Sequence, residues 1–297
     1  MTQAVGGGRA GSGSGTSPCP CGQSKARIEP LEGEERLLRC LTCGLLAREP
    51  MPEAGELRRW YAGEYWDRYR DEQVGAARDN VHAHVLGLLA SMSPTGGRLV
   101  DVGCGGGAFL RAARAAGWRA SGFDPSAGAV AHARAEGLDA HELAWPPCPL
   151  GDASVEAVTF INVLDHLPDP FAALREARRV LKPGGLLYVR VPNGPFHARL
   201  MGLAARVGLR GLTVFHLYGF GRKALLHHLP LMGFERVTVQ AAPPAAGDPY
   251  GGDGAWGDRV RRVLKLAASL AERSLHRLGL GRLGWGPSIE VWAVKGR

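Results

Sequence analysis

Hydrophobic and polar positions follow two alternating periods along most of the chain. Short apolar runs bounded by glycine or polar residues recur between longer segments whose apolar positions return at helical spacing. The short runs are typical of buried strands, and the longer segments are typical of amphipathic helices that cover them. The predicted helices span 78–92, 107–116, 126–136 and 170–181, and the predicted strands span 98–103, 119–124, 138–143, 155–162, 185–191, 235–240 and 289–294.

Helices and strands that alternate in this way build a parallel sheet with helices on both faces. The sequence therefore predicts an α/β fold, a Rossmann-like doubly wound sheet of about seven strands, within residues 76–297. Two segments, 194–214 and 241–287, interrupt the pattern where the bare fold needs no additions. We expect both to form helical caps, either over a substrate pocket or as structural covers without substrate contact.

The amino-terminal segment, residues 1–17, is rich in glycine and serine and lacks the apolar core of a signal peptide. Such a composition cannot bury enough apolar surface to offset the entropy lost on ordering, so we expect a disordered tail. The sequence also has no uncharged apolar run of about 18 residues, the length that a membrane span requires. These features predict a cytoplasmic protein.

Four of the six cysteines form two close pairs within residues 18–50. Glycine follows each pair and leaves room for backbone amides to point at sulfur, and zinc is commonly held by four thiolates. In a cytoplasmic protein such pairs indicate a metal site rather than disulfides. The first pair has one intervening residue where two are usual, so free thiols are the alternative. The predicted Zn²⁺ ligands are Cys19, Cys21, Cys40 and Cys43.

Residues 51–75 are dense in aromatic side chains and are expected to form a helical linker between the cysteine module and the sheet. Aromatic residues at this density more often pack than react. The aromatic residues of this segment are Trp60, Tyr61, Tyr65, Trp66 and Tyr69.

The chain of 297 residues is 45% hydrophobic, which is enough for one full core with accessory segments, and its net charge is +8. Much of the positive charge falls within residues 258–282, which hold seven Lys or Arg and two acids. This distribution disfavours nucleic acid as a partner. Apolar residues recur at helical spacing in the same segment and predict a basic amphipathic helix. Such a helix either docks with a solvated charged face or makes peripheral contact with a membrane.

The segment from Leu99 to Leu110 joins an apolar strand to a glycine-rich turn. Asp101 precedes the turn, and the next predicted strand ends in Asp124, the usual position for binding ribose hydroxyls. This order indicates a nucleotide-cofactor site. The glycine spacing also satisfies the alanine-ended dinucleotide fingerprint. A carboxylate beside the turn disfavours a pyrophosphate and attracts an amino group, so Asp101 favours S-adenosylmethionine.

The ordered motifs resemble those of the class I methyltransferases, which use S-adenosylmethionine. The glycine turn matches that family's first motif, and segments 159–170 and 179–185 are similar to its fourth strand with the following loop and to the turn before its fifth strand. The resemblance implies a last strand that runs antiparallel to its neighbours. Many family members also begin with a cysteine-rich ribbon. The cofactor contacts that the resemblance implies are Asp101, Gly103, Cys104, Gly105, Asp124, Pro125, Glu142, Leu143 and Asn162.

Two histidines are candidate catalytic residues. His166 lies in the loop that the resemblance places at the methyl group, and a neutral imidazole can take a proton from a hydroxyl near physiological pH. A histidine that only shapes the loop is the alternative. His216, in a segment that resembles another part of the family near the acceptor, is the second candidate. The pair His227 and His228 has no partner cysteine nearby and is expected on a helix surface.

Together these features predict an S-adenosylmethionine-dependent methyltransferase of a small, partly apolar acceptor that is lipid-like or aromatic. Oxygen is the favoured acceptor atom because a histidine base suits hydroxyl groups. Two alternatives stay open. A nicotinamide-dependent oxidoreductase would bind a dinucleotide, and a scaffold for a macromolecular partner would bind the cofactor without turnover.

Overall fold

The computed structural model describes part of the chain, namely residues 19–22, 26–30, 36–92, 97–206, 216–243 and 286–297. Three predictions lie outside the described residues: the tail at 1–17, the end of the first insertion at 207–214, and most of the second insertion, 244–285, with its basic helix at 258–282. Within the described ranges, no helix has the length and apolar character needed to cross a membrane.

The described residues form eleven strands and eight α-helices. The strands are β1 (Ala26–Pro30), β2 (Arg36–Cys40), β3 (Leu46–Glu49), β4 (Arg98–Val102), β5 (Arg119–Asp124), β6 (Asp139–Glu142), β7 (Val155–Ile161), β8 (Leu181–Pro192), β9 (Tyr218–Gly219), β10 (Phe234–Ala241) and β11 (Ser288–Lys295). The helices are α1 (Ala54–Arg59), α2 (Tyr65–Val74), α3 (Asp79–Met92), α4 (Ala108–Ala115), α5 (Ala127–Ala135), α6 (Pro170–Val180), α7 (Gly194–Arg206) and α8 (Arg222–Leu231).

Seven strands form the main sheet in the order β6-β5-β4-β7-β8-β11-β10. Neighbouring strands from β6 to β8 pair in parallel, whereas β11 pairs antiparallel with both β8 and β10. The predicted Rossmann-like sheet of seven strands and its antiparallel last strand are therefore confirmed. Strand order reverses between β4 and β7, and open sheets of this class bind ligands at the carboxyl ends of the strands beside such a reversal.

The core lies on both faces of this sheet because side chains alternate along each strand. On β4, Leu99 packs in the cluster that contains α3 and α4, and its neighbour Val100 packs in the opposite cluster with α6 and α8. On β7, Ala157 packs in the cluster with α3 and α4, and Val158 packs in the cluster with α6 and α8. Apolar residues on both faces explain why these strands appear in the sequence as continuous hydrophobic runs.

β8 begins at Leu181, earlier than the predicted start at residue 185. The predicted turn is present within the strand as an irregularity: Gly184 has a φ of +78°, and the pairing with β7 shifts register between Val155 and Ala157. Leu181, which lies before the turn, also pairs with β7, at Val155. The strand is therefore longer than the sequence pattern indicates, because that pattern shows only the segment after the turn.

The cysteine-bearing segment forms a second, four-stranded sheet in the order β1-β2-β3-β9. Its fourth strand comes from a distant part of the chain: Leu46 pairs with Gly219 and Ala47 with Tyr218. The amide of Arg48 also donates to the carbonyl oxygen of Leu217 at 2.9 Å. The small sheet is thus joined by backbone hydrogen bonds to the segment that follows α7.

Candidate functional site

The glycine turn after β4 is shaped by backbone conformations that favour glycine. Gly103 and Gly105 have φ values of +72° and +51°. A Cβ atom at residue 103 would overlap the Val163 side chain, and one at residue 105 would overlap the amide oxygen of Gln73. The amide of Gly103 donates to the carbonyl oxygen of Phe123 at 2.7 Å, which fixes the turn against β5. The turn at the carboxyl end of β4 is therefore tightly packed, with Val163 and Gln73 occupying the space where side chains of residues 103 and 105 would lie.

Two carboxylates flank this turn on adjacent strands. Asp101 is buried, and its Oδ1 accepts a 2.6 Å hydrogen bond from the Thr159 hydroxyl; burial raises the pKa of Asp101 to about 7. Asp124 accepts from the amides of Gly105 and Ser126, both at 2.9 Å, and burial raises its pKa. The backbone thus fixes the Asp124 carboxylate, and its remaining lone pairs are available to hydroxyl donors.

One pocket collects most of the predicted cofactor residues. Its lining includes Asp101, Gly103, Cys104, Gly105, Asp124, Pro125, Leu143 and Asn162, together with His166. Glu142 is not brought to this pocket, because its side chain is exposed at the end of β6. Of the two cofactor contacts predicted at the end of β6, Glu142 and Leu143, Leu143 is therefore the one that lines the pocket.

Asn162 directly follows β7 and has a left-handed conformation, with a φ of +58°. Its amide donates to the carbonyl oxygen of Arg190 at 2.8 Å, and its side-chain oxygen accepts a hydrogen bond from the Arg190 guanidinium. Arg190 is itself buried. The Asn162 side chain is thus held by a buried cation, and the residue reaches the pocket at the edge where β7 stops.

The aromatic segment forms one wall of the pocket. Tyr61, Tyr65 and Trp66 line it, whereas Tyr69 lies outside its lining. Trp66 covers the far side of the glycine turn, since a Cβ atom at Gly106 would lie 3.0 Å from its ring. The density of aromatic residues in the sequence marked this segment as a packing region, and the structure places that packing directly on the site.

A cluster of three titratable side chains lies beside this wall. His166 ends a 3₁₀ helix, Leu164–His166, and its Nε2 lies 3.7 Å from Oδ2 of Asp165. The His216 ring centroid is 3.8 Å from that of His166, and its Nε2 lies 4.0 Å from the same carboxylate oxygen. The two predicted catalytic histidines are thus brought together. His166 lines the pocket, and His216 packs against it from outside the lining.

Burial sets the protonation of this cluster. It lowers the pKa of His166 well below the usual value, and the nearby His216 and Arg78 lower it further. The pKa of His216 is lowered to about 4, mainly by burial and to a smaller extent by His197 and Arg48. Burial also raises the pKa of Asp165 to about 7. Both imidazoles are therefore neutral at neutral pH, and a neutral His166 is able to accept a proton.

The three ligand atoms of this cluster lie within 4.8 Å of one another, a spacing that would also suit a metal ion. Its electrostatic surroundings argue against a divalent cation. Arg78 lowers the pKa of His166, Arg48 that of His216 and Arg190 that of Asp165, so three guanidinium groups act on the cluster. The arrangement is better suited to proton transfer.

Several pocket residues were missed by the sequence analysis. Arg78 lines the pocket beside His82, and its Nε is buried without a hydrogen-bond partner among the described residues. Gln73 and Trp145 line it as well. Arg78 belongs to a short 3₁₀ helix, and no motif or period marks it in the sequence. A guanidinium with an open donor in a cofactor pocket is suited to a carboxylate.

The four predicted metal ligands also come together. Sγ of Cys19 lies 3.5 Å from Sγ of Cys43, Sγ of Cys21 lies 3.5 Å from Sγ of Cys40, and all four sulfurs fall within 4.8 Å. Zinc with Zn–S bonds of about 2.3 Å in a tetrahedron separates its sulfur ligands by about 3.8 Å. The donor set therefore fits zinc, and the single residue between the first pair does not prevent convergence.

The prediction that His228 lies on a helix surface is wrong. His228 is buried on α8, its ring centroid is 4.5 Å from that of Phe171, and it is close enough to Cys43 to lower the pKa of that thiol. Among the groups that lower the pKa of Cys43, the hydrogen bond from Cys19 has the largest effect. No cysteine is near His228 in the sequence, but the pairing of β3 with β9 brings the cysteine cluster onto α8.

Comparisons with known proteins agree with this geometry. A family model described as a methyltransferase domain matches residues 67–239. The ubiquinone biosynthesis O-methyltransferase of Xanthomonas oryzae pv. oryzae (strain PXO99A) is 30% identical over 139 residues, which cover 44% of this chain and 57% of that protein. The enzyme of the same name from Maricaulis maris (strain MCS10) is 28% identical over 158 residues, covering 48% and 62%. The chain thus spans little more than half the length of these relatives.

The fold is also similar to solved structures. The magnesium protoporphyrin IX methyltransferase from Synechocystis PCC 6803, solved with bound SAH, superposes with a TM-score of 0.52 at 14% identity. The superposition covers 82% of this chain and 99% of that one. At this identity the comparison shows a shared fold alone.

Proposed function

The chain belongs to the class I S-adenosylmethionine-dependent methyltransferases, and we propose that it transfers a methyl group to a hydroxyl of a small, partly apolar acceptor. One observation carries this proposal. The glycine turn, its two flanking carboxylates and the neutral His166 line a single pocket at the carboxyl end of the sheet. A cofactor site and a candidate base thus face the same pocket.

S-adenosylmethionine supplies a methyl group on a positively charged sulfur. Asp101 is assigned to the cofactor's ammonium group, Asp124 to its ribose hydroxyls and Arg78 to its carboxylate. These three charges match the three polar ends of the ligand. A dinucleotide would bring a pyrophosphate toward Asp101, which is why a nicotinamide cofactor is disfavoured.

The chemistry left to the protein is alignment and removal of one proton, because methyl transfer is a direct displacement. The aromatic wall of Tyr61, Tyr65 and Trp66 excludes water and offers flat apolar surface to an acceptor. His166, neutral at physiological pH, takes the hydroxyl proton. The relatives named O-methyltransferases support oxygen as the acceptor atom.

Calorimetric titration of the purified protein with S-adenosylmethionine, and separately with NAD, tests the cofactor assignment. We expect binding of S-adenosylmethionine and no heat with NAD. Production of S-adenosylhomocysteine with a panel of phenols and aliphatic alcohols then tests the reaction. Binding of NAD alone would overturn the assignment, and cofactor binding without turnover of any hydroxyl acceptor would favour a scaffold role.

The proposal extends to one zinc ion held by Cys19, Cys21, Cys40 and Cys43. The support is the convergence of four sulfurs, none of them in a disulfide. Native mass spectrometry of the freshly purified protein measures this directly. We expect one zinc per chain, and a metal-free chain with the native fold would favour free thiols.

A further inference from the structure

Tyr61 holds a position in the site that packing alone does not require. Its hydroxyl is hydrogen-bonded to Nδ1 of His166 at 2.7 Å, across a sequence separation of 105 residues. The same side chain lines the cofactor pocket. The phenol hydroxyl therefore occupies the hydrogen-bonding position at Nδ1 that a substrate hydroxyl would otherwise have to take.

The helix that carries Tyr61 is irregular at this point. Residues Trp60–Glu64 form a π-helical turn between α1 and α2. An inserted π turn changes the direction of the side chains on it, and such turns occur frequently at functional sites. Here the turn faces Tyr61 toward His166, with the Tyr65 ring 5.5 Å from the Tyr61 ring and 6.1 Å from the His166 ring.

The carboxylate of Asp165 lies behind His166. Asp165 is 1% exposed, and neither of its oxygens has a hydrogen-bond partner among the described residues. A buried acceptor without a donor is costly in the resting protein. The cost has a use if a donor forms during the reaction, because a protonated His166 would present Nε2–H toward Oδ2 of Asp165, now 3.7 Å away.

We propose that Tyr61 is a catalytic residue that relays the acceptor's proton to His166, and this proposal rests on the proposed transfer of a methyl group to a hydroxyl. The acceptor oxygen forms a bond to the methyl carbon, and the carbon–sulfur bond breaks with its electron pair remaining on sulfur. The acceptor's proton passes to the Tyr61 oxygen while the Tyr61 hydroxyl proton passes to Nδ1 of His166. The imidazolium that results is stabilised by the Asp165 carboxylate.

The charged and titratable groups around this relay set the protonation states from which it starts. Burial, followed by Asp165 and Tyr65, raises the pKa of Tyr61, so the phenol keeps its proton in the resting state. Arg48 acts on Tyr61 in the opposite sense, and His216 and Arg78 face His166. A protonated phenol beside a neutral imidazole is the starting state that the relay requires.

The direction of the hydrogen bond is tested without any acceptor. Nitrogen-15 NMR of histidine-labelled protein bound to S-adenosylhomocysteine distinguishes the two ring nitrogens of His166, assigned by its loss in His166→Ala. We expect Nδ1 to be unprotonated and to shift in Tyr61→Phe but not in Tyr69→Phe. A proton on Nδ1 overturns the relay, because that nitrogen then has no lone pair to receive one.

Turnover tests the proton transfer itself. The probes are catechol, whose hydroxyl is protonated at neutral pH, and 4-nitrocatechol, whose hydroxyl is largely ionised. With catechol we expect Tyr61→Phe to lower kcat on the order of 100-fold while the Kd for S-adenosylmethionine is unchanged. With 4-nitrocatechol the loss should fall below about threefold, because no proton has to be removed.

Tyr69→Phe is the matched control, since it removes a phenol hydroxyl from the same segment outside the pocket lining. Equal losses with both probes would show that Tyr61 acts through packing and overturn the relay. Turnover that requires added Mg²⁺ or Mn²⁺ would also overturn it, because a metal would then activate the hydroxyl. If neither probe is methylated, the NMR experiment alone decides. Failure to bind S-adenosylmethionine would instead refute the proposed function.

Discussion

The two halves of the pocket are assembled in different ways. The cofactor half comes from short, contiguous segments: Asp101 and the glycine turn lie within a few residues, and Asp124 ends the next strand. The acceptor half joins Tyr61, Asp165 with His166, and His216 from three distant parts of the chain. The first half depends on local backbone geometry, whereas the second depends on how separate segments are packed together. A change in one half should therefore leave the other largely intact.

His166→Ala should produce the largest effect. We expect kcat to fall by roughly 10²- to 10⁴-fold, because the base that accepts the proton is removed. The Kd for S-adenosylmethionine should stay within about twofold, since His166 holds none of the cofactor's polar groups under the proposed assignment. His141→Ala, an exposed histidine outside the pocket lining, is the control. Unchanged methyl transfer in His166→Ala would exclude its role as the base.

Asp124→Ala should affect the opposite half. Loss of charged hydrogen bonds worth about 1–3 kcal/mol should weaken S-adenosylmethionine binding by roughly 5- to 150-fold. Calorimetric titration measures the change. Asp139→Ala removes an exposed carboxylate from the neighbouring strand β6 and should leave the affinity unchanged. Equal losses in the two variants would indicate a general electrostatic effect instead of a ribose contact.

Asp165→Asn should separate stability from activity. Burial raises the pKa of Asp165 in the folded protein to about 7 from its ordinary value of 3.8. The protonated form is thus favoured on folding, so its stabilising contribution is present at low pH and lost as pH rises through 7. The neutral amide should therefore stabilise the protein at pH 8, on the order of 1–3 kcal/mol, and have little effect near pH 4.

The same variant should lower kcat, because an amide stabilises an imidazolium less well than a carboxylate does. Urea denaturation at several pH values, combined with turnover at pH 8, measures both quantities. A variant that is less stable than the wild type at pH 8 would contradict the view of Asp165 as a costly, unpartnered carboxylate.

Cys43→Ser should disturb the acceptor half through the small sheet. We expect the variant to lose zinc. Its kcat should fall by roughly tenfold, which is the size of effect expected when contacts that support a site from behind are changed. The Kd for S-adenosylmethionine should change less than kcat, because the small sheet reaches the acceptor half through β9. Cys148→Ser, a buried cysteine outside the cluster, is the control. A selective loss of cofactor binding would contradict this connection.

Glu142→Ala should have the smallest effect. The side chain is exposed and outside the pocket lining, so the Kd for S-adenosylmethionine should change by less than about twofold. Calorimetric titration compares it with Leu143→Ala, which alters a residue that does line the pocket. A tenfold increase in the Kd of Glu142→Ala for S-adenosylmethionine would support the cofactor contact that the sequence predicted for Glu142.

The same contrast explains how much the sequence could predict. The strands of the main sheet and the glycine turn follow from local patterns, because an apolar run, a glycine and a terminal acid each act within a few residues. Tyr61 was assigned to packing, since no period shows which of several neighbouring aromatic residues a π turn will face toward a histidine. His228 was placed on a surface, because its burial depends on the distant pairing of β3 with β9.

The two-residue strand β9 has a further consequence for protein engineering. Leu217 accepts a hydrogen bond from the amide of Arg48, and its own amide donates to the carbonyl oxygen of Asp165 at 3.1 Å. One short peptide thus connects the cysteine-bearing sheet to the residue beside His166. Transplanting acceptor preference between homologous enzymes would therefore require exchanging residues 46–49 and 216–219 as a matched set. A chimera that exchanged only the sheet-forming catalytic core would combine the cofactor site and His166 of one parent with β3 and β9 of the other, and the base would be mispositioned.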